Sequence, residues 1–166
     1  MRAWPFVVTA LWVALDQWLK AYVVATLPLY ASREVLPGFL TLQHVTNNGA
    51  AWSLFAGGAG VLTVVRLVAG VAILWVIARE RRAPALQTLA LALIAGGAFG
   101  NAIDGLFRGK VVDMLLSQTL TSLYQPVFHT VFPIFNLADT GVVGGVILLI
   151  IASLLPNRVP RAERRF

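Results

Sequence analysis

The chain contains no cysteine, which excludes disulfides, a thiol nucleophile and thiolate metal sites. It has only two histidines, His44 and His129, too few for a His-rich metal centre, and no H-E-x-x-H spacing. Charge is scarce as well: 12% of the 166 residues are ionic, where a soluble domain carries about 25%. Acidic groups are the scarcest, 7 against 13 Lys and Arg, leaving a net charge of +6. Such an excess is one mark of nucleic-acid binding. Here, however, the basic residues cluster between and beyond apolar runs, the pattern of a chain in lipid. The reading is no cofactor, no nucleic acid and no metal, although hydrolysis at a metal held by Asp and His stays open on the residues alone.

Hydrophobic residues make up 58% of the sequence. Four stretches, about 4–25, 61–78, 85–103 and 137–155, are each long enough to cross a bilayer, which takes roughly 20 helical residues. The expected fold is an all-α membrane protein with one domain over residues 1–166. The first stretch is too long for a signal-peptide core and has no A-x-A cleavage site, so it reads as a retained helix. Arg2, Arg79, Arg81, Arg82, Arg158, Arg161, Arg164 and Arg165 fall on one side of four crossings. That side is expected to be the cytoplasm, with both termini in it. Lys20 and Arg66 lie within apolar stretches, toward the outer surface. Two long segments, 26–60 and 104–136, then face outward. Residues 39–46 alternate in part like a strand and lead into the turn signal Asn47-Asn48-Gly49, and Val127–Phe132 is β-prone. Chemistry is expected on this outer face, near the outer leaflet.

The acidic residues divide by type. Glu34, Glu80 and Glu163 lie in polar loops. Asp16, Asp104, Asp113 and Asp139 all lie in or beside apolar runs, where a carboxylate costs roughly 2.5–3.5 kcal/mol at a helix centre. Asp16 and Lys20 are four apart in the favourable order for a helical ion pair and read as a neutralised structural pair supporting a site. Asn101 and Asp104 share a helix face. Asp139 opens the fourth span, where the helix dipole favours an acid. Singly, each aspartate reads as a cap or an ion-pair partner. Together they offer what peptide hydrolysis needs, because two close carboxylates share one proton and so supply an acid and a base at the same pH. The residues alone do not say which two of the four form that pair. A proton-coupled transporter and a non-enzymatic scaffold stay open, though no internal repeat supports the former. The glycines of spans three and four (Gly96, Gly97, Gly100, Gly141, Gly144, Gly145) read as small-residue helix contacts, and both histidines as surface residues.

Four blocks, in order, give the chain a resemblance to a known family. They are Asp16-Gln17-Trp18-Leu19-Lys20, Asn47-Asn48-Gly49-Ala50-Ala51-Trp52-Ser53, Gly100-Asn101-Ala102-Ile103-Asp104 leading to Val111-Val112-Asp113, and Phe132-Pro133-Ile134-Phe135-Asn136-Leu137-Ala138-Asp139. On four apolar spans, they resemble the lipoprotein signal peptidases (signal peptidase II) over nearly the whole length. The resemblance implies an aspartic endopeptidase of the bacterial cytoplasmic membrane. Such an enzyme removes signal peptides from prolipoproteins, just before a cysteine that carries a diacylglyceryl group. It implies Asp113 and Asp139 as the catalytic pair. Asn47, Gly49, Asn101, Asp104, Arg108 and Asn136 are then substrate-side positions. It further implies an extracytoplasmic β-cradle, a short surface helix, sensitivity to globomycin-type inhibitors, contact with membrane lipid, and a monomer. One departure stands out. The family usually has Arg directly after the third-span aspartate, and here that position is Gly105. Arg108 is the expected partial substitute.

Overall fold

In a computed structural model, which describes residues 2–47, 59–80 and 82–155, four helices are long and apolar enough to cross a membrane. Helix α1 (Trp4–Thr26) carries Pro5 in its first turn, where a missing N–H costs nothing, and stops before the Leu27-Pro28 step. Helices α2 (Ala59–Arg79) and α3 (Ala85–Phe107) follow. Between α3 and the last long helix lie a strand and an eleven-residue helix, numbered below. Gly109 sits just past the α3 C-cap at φ +69, a left-handed conformation that ends the helix without strain.

α3 is the central element. It packs against α1, α2 and the fourth long helix, and 56% of its apolar window is buried, against 17–22% for the other three. Glycine makes that possible. A Cβ at Gly97 would stand 2.2 Å from the Ala138 carbonyl oxygen, and one at Gly145 would stand 2.7 Å from that of Ala90. The expectation of close helix contacts thus holds at these positions. It fails at Gly144, which has nothing within 4 Å and faces an open apolar groove beside Val143 and Ile147.

A three-stranded antiparallel sheet stands at one end of the bundle, in the order β1 (Ser32–Leu36), β2 (Leu40–Asn47), β3 (Val111–Ser117). Val23, Leu27, Leu42 and Met114 form a small apolar core joining the sheet to α1. Helix α4 (Gln118–Phe128) follows β3, opened by Ser117, whose side chain accepts the Leu120 N–H. After it the chain returns to the sheet. Phe135 accepts the N–H groups of Met114 and Leu115 at 3.0 and 2.7 Å, and returns its own N–H to Leu115 at 3.1 Å. Helix α5 (Leu137–Leu154) then begins at once.

Several expectations need correction. α3 continues past Ile103 to Phe107, so Asp104 lies inside the helix. Its charge is compatible with that position because Lys20 and Arg108 neutralise it, as described below. Residues 127–132 form no strand. Val127 and Phe128 complete α4, where the i,i+4 stacking of Tyr124 on Phe128 (4.2 Å) and the edge contact of Tyr124 with Phe132 (5.4 Å) outweigh β propensity. His44 is not a surface residue. It lies on the covered face of β2, 8% exposed, with Nδ1 2.8 Å from the Leu27 carbonyl. β1 was not foreseen, because Ser-Arg-Glu does not read as a strand. Residues 48–53 of the second sequence block, Gly49 included, and Arg81, Arg158, Arg161, Arg164 and Arg165 lie outside the described residues.

Candidate active site

Both ends of the chain's return to the sheet carry an aspartate. Asp113 sits in β3, opposite Val45, and Asp139 in the first turn of α5. They line one cleft of about 550 Å³, together with Asn47 and Asn101.

Two buried asparagines hold the carboxylates. Asn136 is the N-cap of α5. Its Oδ1 accepts the Asp139 N–H at 2.9 Å, while the Asp139 carboxylate accepts the Asn136 N–H at 3.2 Å, a reciprocal capping box. With that oxygen occupied, the Asn136 amide nitrogen must face the other way, and it donates to Asp113 Oδ1 at 2.8 Å. Asn101 is set by the same logic. Its Oδ1 accepts from Lys20 at 3.0 Å and from Asn136 at 3.0 Å, so its Nδ2 points at Asp139 Oδ1, 2.7 Å away. Asn47 donates to Asp113 Oδ2 at 3.1 Å. The orientations of Asn101 and Asn136 follow from what occupies their oxygens.

Beneath the pair lies a buried ionic cluster. The ammonium of Lys20, fully buried, reaches Asp16 at 2.8 Å and Asp104 at 2.9 Å. With Asn101 these acceptors use all three of its protons. The ion pair expected from the 16–20 spacing is therefore present and extends to a third residue. Arg108, 31% exposed, adds the second cation through Asp104 and also donates to Gln17 at 2.9 Å. Two carboxylates and two cations balance. Asp16 also accepts the Ala138 N–H at 2.9 Å, and Asp104 accepts the Val112 N–H at 3.0 Å. The cluster thus grips the backbone one residue before each aspartate of the cleft. Asp104 and Arg108 are not among the cleft-lining residues. Gln17, which the sequence reading passed over, donates to Asp104 at 3.2 Å and to the Gly100 carbonyl at 2.9 Å. Its one signal was its place inside the first block.

The carboxyl of Asp113 is pushed up to about 6, first by burial and then by the charge of Asp139; hydrogen bonds from Asn47 and Asn136 oppose the rise without cancelling it. Burial is the larger of the two causes, so Asp113 keeps its proton more readily than a solvated carboxyl does, and it does so in the same cleft as a second carboxylate. The arrangement can therefore hold one proton between a base and an acid.

Gly105 explains the departure at its position. A Cβ there would lie 1.9 Å from Thr63 Oγ1 of α2, so a side chain enters only if Thr63 gives way. Gly105→Arg is expected to force α2 and α3 apart and lower stability by about 1–3 kcal/mol, the usual range for overpacking. Thermal melts in detergent should show the loss, and Thr63→Ala in the same chain should recover most of it.

A family model described as signal peptidase (SPase) II matches residues 8–155. The lipoprotein signal peptidase of Deinococcus radiodurans is 47% identical over 155 residues, covering 93% of this chain and 81% of that protein. That of Enterococcus faecalis is 35% identical over 156 residues, covering 94% and 91%. A solved structure of a bacterial membrane enzyme superposes with a TM-score of 0.78 at 30% identity, covering 93% of this chain and 89% of the other.

Proposed function

The chain belongs to the signal peptidase II family of aspartic peptidases, multi-pass bacterial membrane proteins that cleave the signal peptides of prolipoproteins, and on that premise we propose that Asp113 and Asp139 are its catalytic pair. The observation that carries this assignment is their shared cleft, where each receives an amide proton from an asparagine whose other atoms are already committed.

One carboxylate takes a proton from a water, which attacks the scissile carbonyl. The other, protonated, polarises that carbonyl and passes its proton to the leaving amide nitrogen. Asn47, Asn101 and Asn136 hold the carboxylates; Asn47 and Asn101 also line the cleft and can meet the peptide backbone, whereas Asn136, fully buried, acts through the carboxylates alone. Gly49 is assigned to substrate binding on the family block alone. Asp16, Lys20, Asp104 and Arg108 support the pair from beneath. The substrate carries a diacylglyceryl-cysteine and is cut just before it. Its acyl chains stay in the bilayer and set the depth of the scissile bond. The sheet end faces outward and both termini face the cytoplasm, in keeping with Arg2, Arg79 and Arg82 at the opposite end. The enzyme works as a monomer, as one domain over residues 1–166, and takes globomycin-type inhibitors in this cleft.

Purified protein in detergent should shorten a diacylglyceryl-modified prolipoprotein and leave the unmodified precursor intact. Equal cleavage of both, or of neither, removes the lipid-dependent reading.

A pH dependence follows from Asp113. Its proton is held up to about 6 in the free enzyme, so raising pH through that value removes the shared proton and kcat/KM should fall along an alkaline limb belonging to the pair. The Asn47 hydrogen bond favours the charged carboxylate. Asn47→Ala should therefore move the limb to higher pH. A limb that stays put, or moves down, contradicts the assignment of that limb to Asp113.

A further inference from the structure

Arg66 is a charge within the apolar length of α2, an expensive placement toward lipid. Thr63, Arg66 and Gly70 follow i, i+3, i+7 spacing and so form one stripe of the helix. The flanking members of that stripe meet α3. Thr63 abuts Gly105, and a Cβ at Gly70 would lie 2.8 Å from the Phe99 ring. Arg66 thus leaves α2 on its protein side rather than toward lipid. It is half-buried and lines the cleft that Asp113 and Asp139 line. Seven residues from the start of α2, its Cα lies about 10 Å along the helix from the sheet end. Helical side chains lean toward the N-terminus, and a long one reaches further back to the polar boundary.

Two other cations serve the buried cluster beneath the pair. Lys20 is spent on Asp16, Asp104 and Asn101, and Arg108 holds Asp104 and Gln17. Neither lines the cleft.

We infer that Arg66 is a substrate-binding residue, whose guanidinium donates hydrogen bonds to carbonyl oxygens flanking the scissile bond. A planar fork of five N–H donors, with no acceptor capacity, suits a substrate that presents several neutral carbonyl oxygens at the edge of the bilayer. Two sources offer that chemistry: the acyl esters of the glyceryl group and the peptide carbonyls of the extended segment. The inference rests on the lipoprotein-processing reading and adds to it the group that grips the substrate beside the catalytic pair.

The test uses the full-length protein in one detergent with two lipopeptide substrates, ester-linked diacylglyceryl and ether-linked dialkylglyceryl, the latter having no ester carbonyls. Arg66→Gln should raise KM for the ester substrate about tenfold with kcat changed less than about threefold, as expected for a lost hydrogen bond to a charged group. Arg66→Lys should fall between, and melting temperatures should stay close to wild type. If esters are the ligand, the wild type should distinguish ester from ether and Arg66→Gln should not. If peptide carbonyls are the ligand, the ester-to-ether ratio should be the same in both while KM still rises. An unchanged KM in Arg66→Gln overturns the inference, as does a shifted pH limb without a KM effect. Should the Gln variant fail to fold, an unchanged KM in Arg66→Lys does the same. Wild-type protein that cleaves neither substrate sinks the underlying functional reading instead, so the two failures are distinguishable.

Discussion

Asp113→Asn and Asp139→Asn are each expected to lower turnover of a lipidated precursor by about 10³–10⁴-fold, the scale of lost general acid–base catalysis. Both variants should remain folded. An Asn at 139 still offers an oxygen to the Asn136 N–H, so the α5 cap survives. An Asn at 113 loses one acceptor toward Asn47 or Asn136 but removes a buried ionisable group that the fold disfavours. The double variant should be no slower than either single, because two acids that act as one unit are not additive. Turnover of product against time, with a melting curve for each protein, decides the matter. A single variant that keeps a tenth of wild-type activity sinks the pair, and a double variant far slower than both singles shows that the two act independently.

Lys20→Met should have the largest effect on stability. Among the described residues its ammonium is the one contact common to Asp16, Asp104 and Asn101, at full burial. Removing it leaves the buried Asp16 without the cation it pairs with, while Arg108 still holds Asp104; a broken buried pair costs about 3–5 kcal/mol. That is a large share of a typical domain's margin of roughly 5–15 kcal/mol, so the variant should melt far below wild type or fail to accumulate. Activity should suffer in the molecules that do fold, since Asn101 loses the cation that fixes its orientation toward Asp139. Adding Asp16→Asn should recover part of the stability, because the carboxylate that lost its cation is then neutral while an oxygen remains for the Ala138 N–H. If Lys20→Met alone melts within a degree or two of wild type, the cluster is not what holds this end of the bundle together.

The four helices were legible because their signal is long and redundant: roughly 20 apolar residues admit few other readings. Their ends were less so. α3 extends beyond Ile103 because Lys20, distant in sequence, neutralises Asp104, and no local window reports a partner 84 positions away. The four aspartates were legible as a group from their apolar surroundings, but the division into a cleft pair and a buried pair came from the family blocks and from geometry. Lys20 bridges Asp16 and Asp104, while Asn101 and Asn136 face Asp139 and Asp113. Strand β1 escaped notice because its residues are all exposed and lack the alternation that marks a half-buried strand. His44 escaped for the opposite reason: a lone polar letter hides the carbonyl that satisfies it, here that of Leu27. The open face of Gly144 was invisible because a glycine reports neither what it touches nor that it touches nothing.

The knot of backbone hydrogen bonds between Phe135 and the residues Met114 and Leu115 closes the excursion from 116 to 134 into a loop hitched at both ends to rigid elements. The hitch fixes the register of β3 against the start of α5, while Tyr124 and the run from Thr130 to Ile134 supply one wall of the cleft. A changed side chain in that wall reshapes the doorway a precursor must pass, whereas the spacing of the two acids is left to the hitch.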